Sequence, residues 1–277
     1  MKLLKSIAQV LLYLFVFLMV ETLVTAVVTA INYYLQGVGA SQLGTLWSEG
    51  KLLPDSDGLI VISVVSSLVT LGVFLLARWF RPTRDYIRSR PWGVVFWVVI
   101  LTLGTIIPSE YLQEQIPFDM PDEMKALLGD MMHNRWGYLA IGILAPLVEE
   151  VVFRGAILGV LLTLFGRRWH WVPIAISALI FGAAHGNVPQ FVHATILGLL
   201  LGWMFYRTDS IVPGVVLHWV NNSAAYLIAN LIPNSEDAAL IDIFSGDSRA
   251  VLMALGFSCC LILPALFQLA LRMKKAA

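Results

Sequence analysis

The chain has 277 residues, of which 58% are hydrophobic and 13% are charged, and its mean hydropathy is +0.80. This composition is far more apolar than that of a soluble globular domain, so it excludes that class and is typical of a polytopic membrane protein. The formal net charge is 0, and we expect no nucleic-acid partner. The two cysteines, Cys259 and Cys260, are neighbours in an apolar run, which favours neither a disulfide framework nor a metal site.

Apolar runs, taken in chain order, predict an all-α membrane helix bundle of about eight transmembrane helices. A helix needs about 20 mostly apolar residues to cross the hydrocarbon core. The candidate spans are 7–31, 59–77, 92–108, 137–165, 171–185, 190–206, 211–231 and 250–271, of which the fifth is short. The first is longer than the apolar core of a signal peptide, so we expect an uncleaved span. Residues 121–133, in the loop after the third span, are expected to form a short helix.

The distribution of Lys and Arg predicts that both termini are cytoplasmic, because the basic residues of short loops set the orientation of a membrane protein. With the N-terminus inside, thirteen basic residues fall in inner loops and four in outer loops. The inner set is Lys2, Lys5, Arg78, Arg81, Arg84, Arg88, Arg90, Arg167, Arg168, Arg207, Arg272, Lys274 and Lys275, and the outer set is Lys51, Lys125, Arg135 and Arg249. Because the chain is compact and has no long soluble extension, we expect an integral protein of a bacterial plasma (inner) membrane.

Three charged residues lie within six positions of the fourth span: Glu149, Glu150 and Arg154. A charge at the centre of a spanning helix costs at least ~2.5 to 3.5 kcal/mol, so these side chains are expected to face an interior cavity and one another. Glu150 and Arg154 are four residues apart with the acid first, which favours an ion pair along one helix. Glu149 lies about 100° round an α-helix from Glu150, so it remains available as a general base. A structural ion-pair cluster that fixes the helix register is the alternative.

Two later spans each carry a histidine with a partner four residues away, Phe181 with His185 and His218 with Asn222. Such pairs share one face of an α-helix. His218 and Asn222 can both donate hydrogen bonds, as stabilisation of a developing oxyanion requires, although hydrogen bonding between helices is an alternative role. Because Glu149, His185 and His218 come from three spans and each is costly to bury alone, we expect them to converge. Close packing is predicted by three G-x-x-x-G pairs, Gly155 with Gly159, Gly182 with Gly186, and Gly198 with Gly202.

Two further polar residues lie inside predicted spans. Glu21 has Thr25 one helical turn later, and we assign it to buried hydrogen bonding rather than to catalysis. His193 lies in the sixth span, close to His185 in the sequence, and we do not favour it as a neighbour of the site.

Together these residues resemble the CAAX protease and bacteriocin-processing group, the Abi or CPBP intramembrane proteases, and within it the type II CAAX prenyl endopeptidases. The motifs E-E-x-x-x-R, F-x-x-x-H and H-x-x-x-N of that group occur in order, at Glu149 to Arg154, Phe181 to His185 and His218 to Asn222. Each motif is short, but three in order, each on a hydrophobic span, are a specific pattern. The resemblance covers about residues 145–225.

The resemblance implies an intramembrane endopeptidase, a hydrolase that cleaves a peptide bond of a membrane-associated protein or peptide. Carried over by position, Glu149 would activate water together with His185, while His218 and Asn222 would stabilise the tetrahedral oxyanion. The supporting residues would be Glu150, Arg154 and Phe181. On this basis we divide the chain into N-terminal membrane helices and loops of unassigned role (1–135), an Abi/CPBP-like catalytic helical core (136–231), and an outer loop with the last transmembrane helix (232–277).

The resemblance leaves the use of a metal open, since the group has been described both as metal-dependent and as glutamate-type. In a zinc-dependent metalloprotease the ligands would be Glu149, His185 and His218, with an open position for water. We favour a metal-free glutamate and histidine site, because the H-E-x-x-H helix of many zinc proteases is missing.

Two other classes stay open from the residues alone. An ion-coupled transporter also carries buried Glu, Arg and His, although we find no inverted repeat. A non-proteolytic membrane scaffold or immunity protein is the second. As partners we expect the lipid bilayer and, for an enzyme, a membrane-associated substrate, with the oligomeric state undetermined.

Overall fold

The computed structural model describes residues 2–49, 51–80, 83–118, 120–232 and 238–274. All regular secondary structure in this described part of the chain is helical, and it contains no strand, as the apolar segments predict. Two of the basic residues that predict the orientation, Arg81 and Lys275, lie outside the described residues.

Each of the eight predicted apolar segments coincides with a helix. The predicted short helix at 121–133 is also confirmed, whereas the sequence did not reveal the short helices Ala40–Ser48, Arg84–Arg88 and Leu240–Ile243. In chain order the helices are α1 (Lys2–Leu35), α2 (Ala40–Ser48), α3 (Ser56–Leu76), α4 (Arg84–Arg88), α5 (Trp92–Glu114), α6 (Asp122–His133), α7 (138–165), α8 (Trp171–Ala183), α9 (Val188–Thr208), α10 (Val212–Leu231), α11 (Leu240–Ile243) and α12 (Ser248–Arg272), with a 3₁₀ turn at Arg167–Trp169.

Among the described helices, α1, α3, α5, α9 and α12 are long and apolar enough to cross a membrane. Of the roughly eight predicted spans, five therefore correspond to a described helix of sufficient length and apolar composition. The fifth predicted span corresponds to α8, which has only 13 residues. Large apolar side chains such as Leu11, Phe15 and Phe257 point outward from α1 and α12, as expected of helices that face lipid.

The helix α7 lies at the centre of the molecule and contacts α1, α3, α8, α9 and α10. It is not the uniform α-helix that the sequence predicts, because π-helical segments at Tyr138–Leu144 and Glu150–Leu158 alternate with α-helical ones. Neighbouring side chains bond carbonyls of both π segments: Ser177 Oγ donates to Phe153 O at 3.0 Å, and Asn222 Nδ2 donates to Ile141 O at 2.9 Å. Single π turns inside helices occur frequently at functional sites.

The core around α7 depends on close approach of α8 and α9. Gly198 abuts the backbone of Ala178, and Gly202 abuts Ile174, so this G-x-x-x-G pair packs as predicted. Gly182 lies against the backbone of Phe191. The other predicted pairs are wrong in part: Gly186 adopts a positive φ of +72° in the turn after α8, and Gly159 makes no close contact with another helix.

Candidate active site

The charged residues of α7 form a buried ion pair and a separate carboxylate. Arg154 Nη1 lies 2.9 Å from Glu150 Oε1, and both side chains are almost completely buried. This confirms the pairing that the four-residue spacing predicts. Among the described residues, no hydrogen bond with good geometry joins the Glu150 and Arg154 side chains. Their attraction is therefore chiefly that of two opposite charges in a medium of low dielectric constant. Glu149 is not part of this pair, and its side chain retains 21% of its accessible surface.

Phe181 on α8 covers the guanidinium of Arg154. The centre of that guanidinium lies 4.1 Å from the centroid of the Phe181 ring, a cation–π contact that offsets part of the cost of burying the charge. The same ring meets His185 edge to face at 5.0 Å and His218 at 5.8 Å. The aromatic residue of the second motif therefore contacts residues of all three motifs.

His218 on α10 lies between the two glutamates. Its Nε2 is 3.6 Å from Glu149 Oε2, and its Nδ1 is 3.5 Å from Glu150 Oε1. These distances exceed those of hydrogen bonds, so the contacts are electrostatic. Arg154, Glu150, His218 and Glu149 form a continuous series of alternating basic and acidic groups. The sequence pairs Glu150 only with Arg154, and the link through His218 arises from the packing of α10 on α7.

His185 lies at the end of α8, where its Nδ1 is 3.0 Å from the carbonyl oxygen of Phe181. Because a carbonyl only accepts, Nδ1 carries the hydrogen, and in the neutral ring Nε2 is left as an acceptor. No contact between His185 and Glu149 is found among the described residues; the imidazole contact of Glu149 is with His218. The joint action of Glu149 and His185 on one water therefore stays a prediction.

Asn222 lies one helical turn after His218 on α10. Its Nδ2 donates to Ile141 O on the first π segment of α7, and its Oδ1 accepts a hydrogen bond from Asn221 at 3.2 Å. One amide hydrogen is thus engaged with the backbone, which leaves the second for another acceptor. The role of Asn222 at an oxyanion stays a prediction, and the structure adds a second function, the attachment of α10 to α7.

His193 on α9 is closer to the site than its sequence position suggests. Its Nδ1 lies 2.8 Å from Ser109 Oγ on α5, and its ring lies within electrostatic range of His185 and His218. The less favoured interpretation of His193, as a neighbour of the site, is therefore the one that the structure bears out. The sequence signal was an intramembrane histidine; its partner, Ser109, lies on a distant helix and is identifiable only from the packing.

Glu21 on α1 and Glu149 line the same cavity, which has a volume of about 260 Å³. Ser66 on α3 and Glu149 both lie near the Glu21 carboxyl group. The sequence names Thr25 as the neighbour of Glu21; Thr25 lines the same cavity, and a further polar neighbour, Ser66, comes from α3. An assignment of Glu21 to buried hydrogen bonding alone is thus incomplete.

The three residues that would bind zinc do not form a ligand set in this arrangement. Among the described residues no group of three His, Cys, Asp or Glu side chains is placed to hold a metal ion. Since the residues do not fit the ion as they stand, we derive no catalytic step through a metal.

The described part of the molecule is helical, has apolar helices of membrane length, and carries acidic, basic and imidazole groups at its centre. These features are typical of intramembrane enzymes and carriers. Residues 132–224 match the family model of the type II CAAX prenyl endopeptidase Rce1-like proteins, which confirms the resemblance carried by the three motifs. No curated protein and no solved structure matches the chain. The chain is an integral membrane protein with an Rce1-like segment, typical of a CAAX-type intramembrane protease.

Proposed function

We propose that the protein is an intramembrane endopeptidase that hydrolyses a peptide bond of a membrane-associated protein or peptide. The observation that carries this proposal is the position of Glu149. It is a half-buried carboxylate that lines a cavity and lies 3.6 Å from the imidazole of His218. A general base needs this combination of access to water and a neighbour that can exchange a proton.

In the proposed reaction Glu149 removes a proton from a water molecule, and the resulting hydroxide attacks the carbonyl carbon of the scissile bond. His185 assists by accepting a hydrogen bond from the same water through Nε2, the nitrogen that its bond to Phe181 leaves available. The proton held by Glu149 then passes to the leaving nitrogen as the carbon–nitrogen bond breaks. Exclusion of bulk water around these groups strengthens each electrostatic interaction.

The oxyanion that forms during attack requires hydrogen-bond donors. We assign this role to His218 and Asn222, and removal of one such donor typically costs about 10² to 10³ in kcat. Glu150 holds His218 from the side opposite Glu149 and is itself neutralised by Arg154. Glu150, Arg154 and Phe181 are accordingly supporting residues, which orient His218 and place charged and aromatic groups around it. No metal is required for these steps.

We place this chemistry in the region 136–231, between N-terminal membrane helices (1–135) and a last region (232–277) that contains α12. The excess of Lys and Arg in alternate loops supports about eight membrane crossings with both termini cytoplasmic. A bacterial plasma membrane is the location that we favour. The family name makes a peptide that ends in a prenylated Cys-a-a-X motif the first substrate to test.

The test is hydrolysis of a fluorogenic farnesylated Cys-a-a-X peptide by the purified protein in proteoliposomes. We expect the wild type to cleave it and Glu149→Gln to lose at least about 10² in kcat, because the amide is not a useful base. The control Glu123→Gln removes an exposed carboxylate of α6 and should retain wild-type rates. A zinc chelator should leave the wild-type rate unchanged. Cleavage by Glu149→Gln at the wild-type rate would overturn the role of Glu149 as the base, whereas no cleavage by the wild type would favour a scaffold.

A further inference from the structure

The cavity beside Glu149 is built largely by the N-terminal helices. It is bordered by α1, α3, α6 and α7, so most of its lining comes from helices that precede the three motifs. Its volume of about 260 Å³ is just below the ~300 to 1,000 Å³ typical of ligand pockets. A cavity of this size takes a short segment of chain rather than a folded domain.

The lining of this cavity is divided into an apolar part and a polar part. Phe17, Leu59 and Ile62 supply apolar surface, whereas Thr25 and Ser67 supply hydroxyl groups on α1 and α3. Glu21 lies one turn from both Phe17 and Thr25 on α1 and lines the cavity with them. None of the described lining residues has a basic side chain. No cation of the described lining therefore competes with a bound peptide for the oxygens of Glu21.

An extended peptide that enters a membrane has the groups that this lining can satisfy. Every backbone N–H and C=O removed from water must find a partner, because an unsatisfied group in hydrocarbon costs several kcal/mol. A carboxylate accepts from backbone N–H groups, and hydroxyls donate to carbonyl oxygens. The apolar part of the wall takes the aliphatic side chains of such a segment.

We propose that the cavity between α1, α3, α6 and α7 holds the substrate segment next to the scissile bond. Glu21 is a substrate-positioning residue there, and its carboxylate accepts hydrogen bonds from the substrate backbone while Thr25 and Ser67 donate to it. This proposal rests on the proposed peptidase function and assigns to the N-terminal helices a direct part in binding. Glu21 acts on the position of the peptide and not on the reacting atoms.

The first test separates binding from chemistry with the farnesylated Cys-a-a-X peptide. Glu21→Leu should raise KM about tenfold or more with a smaller change in kcat, because the acceptor is lost while Glu149 is intact. Glu21→Gln keeps one carbonyl acceptor and should restore a large part of the lost affinity. Glu123→Gln should match the wild type. If Glu21→Leu leaves KM unchanged, or if Glu21→Gln is no better than Glu21→Leu, the proposal is overturned.

The second test reads binding without hydrolysis. Ser63→Cys, at a partly exposed position of the cavity lining, is introduced with Cys259→Ala, Cys260→Ala and Glu149→Gln, and its reaction with a small maleimide is followed with and without the peptide. We expect the peptide to slow labelling about tenfold or more, and to leave labelling of the exposed control Ser48→Cys unchanged. Equal labelling with and without peptide contradicts the proposal.

The two tests separate this proposal from the proposed function. Hydrolysis by the wild type without protection of the cavity cysteine would remove the cavity as a binding site and leave the peptidase in place. Protection of that cysteine without hydrolysis by the wild type would keep the binding site and remove the peptidase.

Discussion

At the scale of single residues, the position of Phe181 explains how the three motifs depend on one another. Its ring lies 4.1 Å from the Arg154 guanidinium and meets both His185 and His218 edge to face. A leucine would fill much of the volume but would offer no ring face to the cation. The aromatic residue of the second motif is therefore a support for the charges on α7 as well as a neighbour of the imidazoles.

The Glu150–Arg154 pair should prove essential for stability. Glu150→Gln leaves the Arg154 charge buried without a counter-charge, and loss of one partner of a buried pair costs about 3 to 5 kcal/mol. We expect a large fall in the thermal unfolding midpoint of the purified protein, and the control Glu123→Gln should unfold like the wild type. The double variant Glu150→Leu with Arg154→Met should be more stable than Glu150→Gln. If Glu150→Gln unfolds at the wild-type temperature, the charge of Arg154 is neutralised elsewhere.

At the scale of helices, the sequence predicts the apolar segments well because hydropathy and length alone define them. The segment predicted at 59–77, for example, is the helix Ser56–Leu76. The short helices α2 and α4 lie in loops that hydropathy does not distinguish. The π segments of α7 accept hydrogen bonds from Ser177 and Asn222 on other helices, and no local sequence pattern indicates these bonds.

The contacts within the candidate site are likewise predictable from the sequence only in part. The pairing of Glu150 with Arg154 follows from spacing within one helix, and the structure confirms it. The hydrogen bond of Ser109 with His193 and the proximity of Ser66 to Glu21 join residues more than 40 positions apart. Such contacts depend on the register between packed helices, so the sequence identifies the polar residues but not their partners.

The start of α10 should be intolerant of added volume, because it accommodates the Glu150 carboxylate. A Cβ atom at Gly214 would overlap Glu150 Oε2, so Gly214→Ala must displace the carboxylate that faces His218. We expect a loss of about 1 to 3 kcal/mol in stability and a larger proportional fall in kcat than in peptide affinity. Gly72→Ala on α3 is the matched control, since a Cβ there meets open space. Equal stability and rates for the two variants would contradict this role of Gly214.

At the scale of the whole molecule, two sets of helices meet at Glu149. The residues that resemble the family lie on α7, α8 and α10, within the matched range 132–224. The N-terminal helices α1 and α3 lie outside that range and line the same cavity as Glu149. The match therefore accounts for the proposed chemistry, and the N-terminal half supplies much of the surface that a substrate would meet.

The most direct measurement is the mass spectrum of the products when proteoliposomes cleave the farnesylated Cys-a-a-X peptide in water enriched in oxygen-18. Attack by water that Glu149 activates places heavy oxygen in the newly formed carboxyl group. We expect labelled product from the wild type and from Glu123→Gln, and uncleaved peptide from Glu149→Gln. Intact peptide with the wild type, or cleavage that does not depend on Glu149, would contradict the assignment of this site as a peptide hydrolase.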